Sequence, residues 1–267
     1  MPRIKLTVQY KGTNYHGWQV QPNGVTIQEV LQKTLHRILN QKVNVIGSGR
    51  TDSGVHALAQ VCHFDYVGAR FPRPGGETPP LQKIIYGLNS LLPEDIAVVD
   101  AKIVPQTFHA QLSAKRKTYD YTLFNSKLRS PFLEDTVWRI PYSLDIKKMK
   151  QAAKVLVGEH DFRAFCASDT DVKTTVRKIY KISISVGAPF MAPGFDESNP
   201  YKLLIRISVT GNGFLKHSIR NIVGTLVNVG RGKTTVAQFK NILQGKDRKK
   251  AGMTAPAKGL MLMKVRY

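Results

Sequence analysis

Acidic residues are scarce in this chain: 18 Asp plus Glu stand against 40 Lys plus Arg, a formal net charge of +22 over 267 residues. The cations recur from Arg3 to Arg266 instead of forming one terminal block. Basic surfaces on a globule release counterions when they meet phosphates, so the imbalance points to a polyanionic partner; charge kept for solubility is the plainer reading. Cysteine is scarcer still. Only Cys62 and Cys166 occur, and Cys62 lies inside an alternating strand pattern. That excludes a disulfide framework and a CxxC metal site and suits a reducing cytoplasm. No run approaches the roughly 18 apolar residues of a membrane span, and the opening MPRIKLTVQY alternates where a signal peptide needs an apolar core. No basic amphipathic segment stands apart from the fold, which leaves membrane-surface binding without a basis. The seven histidines show no H-E-x-x-H or paired-ligand spacing, so no metal is expected. A phosphate loop and a dinucleotide fingerprint are missing too, so neither ATP nor NAD is expected.

What is present is enough apolar material for a real core, 42% of the residues, and a readable order of elements. Residues 3–10 alternate, with Ile4, Leu6, Val8 and Tyr10 on one face, as in a half-buried strand. Thr26 and Glu29 form a capping-box pattern ahead of Ile27, Val30, Leu31, Leu35, Ile38 and Leu39 at helical spacing. Strands are expected at 43–46 and 60–66, a helix at 81–92 and a strand at 96–103. The first hundred residues thus spell β-α-β-β-α-β, the ferredoxin-like pattern, with both helices on one face of an antiparallel sheet. The second part offers strands at 118–123, 178–186, 202–209 and 260–267, with helices near 143–157, 214–229 and 235–243 and Gly245 as a C-cap. The expected fold class is α+β: two ferredoxin-like (RRM-like) halves, residues 1–105 and 106–267, sharing a continuous, mainly antiparallel sheet. Two stretches rich in Pro and Gly, 71–80 and 188–200, read as loops.

Three segments could carry chemistry. GSGRTDSGVHA, residues 47–57, packs an arginine, an aspartate and a histidine into a loop whose glycines let the backbone turn sharply. Arg50 and Asp52, two apart, point the same way if the segment is extended. A carboxylate placed where phosphate must come is costly, which favours catalysis over binding; the alternative is an Asp in a local turn bond and an Arg in a surface ion pair. AKRKTYDYTLFN, residues 114–125, sets Lys115, Arg116 and Lys117 before a strand with Tyr119 and Tyr121 on one face. Cations take phosphates and a ring stacks on an unpaired base; equally, both tyrosines suit ordinary inward-facing positions. In GNGFLKHSIRNIVG, residues 211–224, Leu215, Ile219, Ile222, Val223 and Leu226 form a buried helical stripe, with Lys216, Arg220 and Gly224 along one ridge. Arg220 could reach a partly buried carboxylate or lie on a solvated face. Gly224 in a helix interior implies close packing.

The loop GRTDSGVHA, together with YKGTNYHGWQVQ at 10–21, FHAQLSAKRKTYDY at 108–121, GEHDFRAF at 158–165, GNGFLKHSIRNIVG and the terminal APAKGLMLMKVRY, resembles the blocks of the TruA-type tRNA pseudouridine synthases, in order and nearly end to end. Lys11 departs from the acidic residue usual after the tyrosine. The resemblance implies an enzyme that isomerises uridine to pseudouridine at positions 38, 39 and 40 of the tRNA anticodon stem-loop, without a cofactor, in a cleft between the two ferredoxin-like halves of the chain, with a homodimer holding one tRNA across both subunits. It also implies that Asp52 is the nucleophile, that Arg220 pairs with Asp52, that Tyr119 stacks on the target base and that Arg50 fills the vacancy left by a flipped nucleotide. Tyr119 is in addition a candidate base for the C5 proton, and Lys115, Arg116 and Lys117 are candidate phosphate contacts. A non-catalytic basic RNA-binding protein would share the charge and the tyrosines but give Asp52 no task. A metal-dependent nuclease would need more clustered carboxylates.

Overall fold

The computed structural model describes residues 2–66, 81–170, 172–187 and 204–267. The loops expected at 71–80 and 188–200 lie outside the described residues. The chain is mixed α+β, with five α-helices among the described residues. It divides into two compact units, Met1–Lys115 with Leu262–Tyr267, and Arg116–Met261.

The first unit opens with strand β1 (Arg3–Tyr10), whose Ile4, Leu6 and Val8 are fully buried, as the alternation requires. Helix α1 (Ile27–Leu39) starts where the Thr26 hydroxyl accepts the Glu29 amide at 3.3 Å, and ends on Asn40 in the left-handed region. Only that half of the capping box is seen, because the Glu29 carboxylate turns to Lys33 one turn on, at 2.6 Å. Strands β2 (Ile46–Gly47) and β3 (His56–Asp65), helix α2 (Leu81–Asn89) and strand β4 (Ile96–Val104) follow. β1 pairs antiparallel with both β3 and β4, β2 pairs antiparallel with β3, and the last strand, β10 (Leu260–Arg266), joins β3 on its other side.

Two elements of this unit are shorter than their sequence suggested. The strand expected at 43–46 shrinks to β2 because Gln28 Nε2 takes the Val45 carbonyl at 2.7 Å and Gln32 Oε1 takes the Val45 amide at 3.1 Å. Helix α2 stops at Asn89, not at residue 92, and the Asn89 side chain bonds both backbone groups of Val98 in β4, at 2.8 and 2.9 Å. Residues of β10 from Leu262 onward belong with this unit: Lys115 N donates to Arg266 O at 2.8 Å, and the Tyr267 hydroxyl donates to Ala110 O at 2.9 Å. Its ring lies 4.8 Å from that of Phe108.

The second unit is a sheet ordered β5 (Arg116–Phe124), β9 (Leu204–Gly211), β8 (Val176–Val186), β7 (Gly158–Asp161), all antiparallel, with the short β6 (Trp138–Arg139) parallel to β5. Helices α3 (Ile146–Lys154), α4 (Ser218–Gly230) and α5 (Val236–Gly245) pack together, with α3 also against β8. α4 is buried almost all round, which explains its apolar stripe and its small residues. It begins at Ser218, later than the pattern suggested, because His217 turns into the left-handed region at φ 60°. Lys216 therefore leaves the ridge and pairs with Asp169 at 2.5 Å. α5 carries a complete capping box between Thr235 and Gln238. Its cap is Lys246, in place of Gly245: the lysine takes φ 56° and its ammonium reaches Asp161 at 3.1 Å.

Gly224 is where a close approach is required, since a Cβ there would lie 1.8 Å from the Met253 carbonyl oxygen. Gly224→Ala is expected to lower stability by about 1–3 kcal/mol, read from chemical denaturation, as overpacking pushes residues 252–255 off the helix. His63 supplies a pH dependence. It is buried, its Nδ1 accepts the Ala110 amide at 3.1 Å, and burial, with Arg3 and His109 nearby, lowers its titration to about 4 from the ordinary 6.5. Between those values the unfolded chain alone binds the proton, so the contribution of neutral His63 is complete above about pH 6.5 and is lost as the pH falls toward 4. The thermal midpoint is expected to drop over that window, and less steeply in His63→Gln.

Candidate active site

Asp52 sits between β2 and β3, and its sequence neighbours are tied to the segment running from Tyr10 to Trp18. On one side Thr51 is buried; its hydroxyl lies 2.8 Å from the Tyr10 hydroxyl, and its carbonyl accepts the Trp18 amide at 3.1 Å. On the other side the Ser53 hydroxyl and the Gly54 amide both donate to the Tyr15 carbonyl, at 3.1 and 3.3 Å. Asp52 itself closes a tight turn, its carbonyl accepting the Val55 amide at 3.1 Å, with Gly54 at φ 76° where a side chain would be strained.

Two glycines let the backbones touch. A Cβ on Gly12 would lie 2.0 Å from the Val55 carbonyl oxygen, and one on Gly17, itself at φ 84°, 2.6 Å from that of Thr51. The Gly12 amide donates to His56 Nδ1 at 3.0 Å. On the approach side, Gln60 is fully buried, accepts the Ser48 hydroxyl at 2.7 Å and donates to the Gly49 carbonyl at 2.9 Å. The result is a carboxylate, half-buried, on a turn with no slack on either side, beside an exposed Arg50. Sequence reasoning recognised residues 10–21 as a block but gave it no task; the spacing Y-x-G-x-x-Y-x-G-W was its only signal.

In the second unit, Tyr119 sits on β5 opposite Val209 of β9 and is buried. Its ring meets Phe214 edge-on, with centroids 5.4 Å apart and planes at 85°, a favoured aromatic geometry. Phe214 is a residue the sequence did not single out. Tyr121, on the same strand face, has the ordinary inward-facing role: it is fully buried, donates to the Pro256 carbonyl at 2.8 Å and packs against Gly259. Arg220 is half-buried on α4. Its Nε donates to the Ala255 carbonyl at 2.7 Å while the Ala255 amide donates back to the Arg220 carbonyl at 3.2 Å, which tethers the guanidinium at its Nε to residue 255.

The three consecutive cations diverge. Lys115 is exposed at the end of the first unit's long stretch. Arg116 is exposed on the face of β5 away from Tyr119, its guanidinium 4.5 Å from the Tyr180 ring centroid. Lys117 shares the Tyr119 face and is half-buried, and burial lowers the titration of its ammonium. Asp52 and Arg50 are thus carried by the first unit, and Tyr119, Lys117 and Arg220 by the second. Among the described residues, no group of three or more His, Cys, Asp or Glu is placed to hold a metal ion.

The family described as tRNA pseudouridine synthase matches residues 6–112 and 152–267. Asp52 and Arg220 fall inside those stretches, and Tyr119 between them. Proteins named tRNA pseudouridine synthase A align over the whole chain: that of Thermoanaerobacter sp. (strain X514) is 45% identical and covered completely. The Citrifermentans bemidjiense protein is 46% identical with 98% of it covered, and the Myxococcus xanthus protein 43% with 92% covered. Agreement of that extent makes the chain an RNA-modifying isomerase. More narrowly, it belongs to the tRNA pseudouridine synthase family.

Phe214→Leu keeps most of the volume beside Tyr119 but removes the aromatic edge. With Tyr119 acting on the target base, as proposed below, it is expected to slow tRNA turnover about 10-fold while leaving tRNA affinity within about twofold; single-turnover kinetics and filter binding check both.

Proposed function

We propose that this protein converts uridine to pseudouridine at positions 38, 39 and 40 of the tRNA anticodon stem-loop, with Asp52 as the nucleophile. The observation that carries the assignment of Asp52 is the rigidity of its turn, held at Thr51, Ser53 and Gly54 by a separate segment. A turn that serves only to connect two strands has no need of such bracing, whereas a reacting carboxylate must be held to within tenths of an ångström. Arg220 pairs with Asp52 and compensates its charge, and the bonds to Ala255 present the guanidinium in one orientation. Tyr119 stacks on the target base.

The reaction breaks the N1–C1′ bond and forms a C5–C1′ bond. C5 loses its proton and N1 gains one, so atoms balance without net oxidation and no cofactor is called for. The phenol of Tyr119 is our candidate for the base that takes the C5 proton. A uridine in a stem cannot react while stacked and paired, so it flips out at a cost of a few kcal/mol, and Arg50 occupies the space it leaves. Lys115, Arg116 and Lys117 contact phosphates, and recognition follows backbone shape because A-form grooves hide base edges. The cleft for the RNA lies between two ferredoxin-like halves that share a sheet. For the first half this rests on its β-α-β-β-α-β order, with β2 and β1 flanking β3 and β4 beyond β1. The enzyme works as a cytoplasmic homodimer.

Tritium release from tRNA carrying C5-tritiated uridine tests the assignment. The wild type should release tritium and Asp52→Asn should not, with both proteins binding tRNA equally; release by Asp52→Asn at the wild-type rate would remove Asp52 from the chemistry. With several phosphates contacted, affinity for tRNA should fall by orders of magnitude between about 50 and 200 mM salt.

A further inference from the structure

The segment that braces Asp52 is itself braced, and from one residue. Asp95, half-buried just before β4, uses both of its acceptors on it: its backbone carbonyl takes the Lys11 amide at 2.9 Å, and its carboxylate takes the Tyr15 hydroxyl at 2.5 Å. Between those two anchors the chain makes a single tight turn, closed by the Tyr15 amide donating to the Gly12 carbonyl at 3.0 Å. The Tyr15 ring is buried, and burial together with the Asp95 charge raises the titration of its phenol, so the hydroxyl stays a donor through the neutral range. The carbonyl of Tyr15 then receives the two donors that follow Asp52, Ser53 Oγ and Gly54 N.

We propose that Asp95 and Tyr15 are positioning residues for the reaction, a relay that transmits the fixed position of the β4 strand start to the turn bearing Asp52. Neither residue touches the substrate in this reading. A phenol donating to a carboxylate is a charge-assisted bond, stronger and more directional than a neutral one. It fixes where the tyrosine ring enters the core, and with it where the Tyr15 carbonyl points. The opposite flank of Asp52 is held independently, by Trp18 and Tyr10 on Thr51. Removing the relay therefore frees one side of the turn and leaves the other attached, so the carboxylate swings without the unit unfolding.

The inference rests on Asp52 being the nucleophile. The test compares Tyr15→Phe, Asp95→Asn and Asp95→Glu with wild type and Asp52→Asn, measuring single-turnover tritium release, tRNA affinity and thermal midpoint. Tyr15→Phe and Asp95→Asn are expected to lose roughly 10- to 100-fold in rate, with affinity within about twofold and midpoints above the assay temperature. Each should be non-additive with Ser53→Ala, because both loosen the same flank. Wild-type rates in Tyr15→Phe and Asp95→Asn, with Asp52→Asn inactive, would overturn the relay while sparing the nucleophile. A lowered midpoint with an unchanged rate would assign the pair to stability alone and overturn it as well. An active Asp52→Asn would sink the nucleophile assignment, and the relay with it. If Asp95→Asn fails to fold, Tyr15→Phe and Asp95→Glu decide, the latter being expected to retain part of the rate because it keeps the charged acceptor.

Discussion

Backbone lies directly against backbone where residues 12–17 meet residues 51–55, and most of what this protein can do depends on that contact. Gly12 and Gly17 allow it, since any side chain there would overlap a carbonyl of the facing turn. Main-chain bonds cross it at Trp18–Thr51 and Gly54–Tyr15, and side-chain bonds from Tyr10 to Thr51 and from Ser53 to Tyr15 reinforce them, so the backbone on both sides of Asp52 is held. An enzyme that must hold a carboxylate beside a polyanion gains from such an arrangement.

The second unit solves a related problem with aromatic packing. Gly211 makes room for Phe214, Phe214 sets the tilt of Tyr119, and the neighbouring Tyr121 is spent on holding Pro256 and Gly259. Arg220 and Ala255 exchange hydrogen bonds, and Gly224 one turn later brings the same segment onto α4. One small-residue helix thus organises both the guanidinium and the stretch leading into the final strand. Four ion pairs at the surface add little: Lys33–Glu29, Lys148–Asp145, Lys216–Asp169 and Lys258–Glu134 are largely solvated, where such pairs contribute less than about 1 kcal/mol. With so few carboxylates spread over the surface, most cations remain available for RNA.

Much of this was legible from periodicity. The alternation in β1 and the Thr26 start of α1 appear where the pattern places them, because burial of one face dominates there. Two of the misreadings involve a side chain that takes backbone groups of another segment. Gln28 and Gln32 take both groups of Val45, and Asn89 takes both of Val98; nothing in residue type announces either. β7, from the polar run GEHD, is held by its ladder to β8 and has no alternation to read. Of the candidate site, the charged residues stood out as a carboxylate among cations, a pattern that a local turn bond and a surface ion pair also explain. The residues that hold them were not. Tyr15, Trp18 and Phe214 look like any core aromatics until their carbonyls, amides and ring edges are located.

The completion of the first unit by residues 262–267 bears on the order of events during synthesis. Lys5 lies 5.9 Å from the ring centroids of both Phe108 and Tyr267, so residues near the two ends of this sequence share one aromatic cluster. A ribosome making this chain exposes β1, β3 and β4 long before it releases β10, so one margin of that nascent sheet stays open while the entire second unit is translated. The nascent strand β3 must wait for its last partner, and the Asp52 turn that enters β3 at His56 forms on an unfinished sheet. The sheet of the first unit is therefore completed only after the whole second unit has been translated, so a polypeptide lacking residues 262–267 carries the first unit's strands without their last partner.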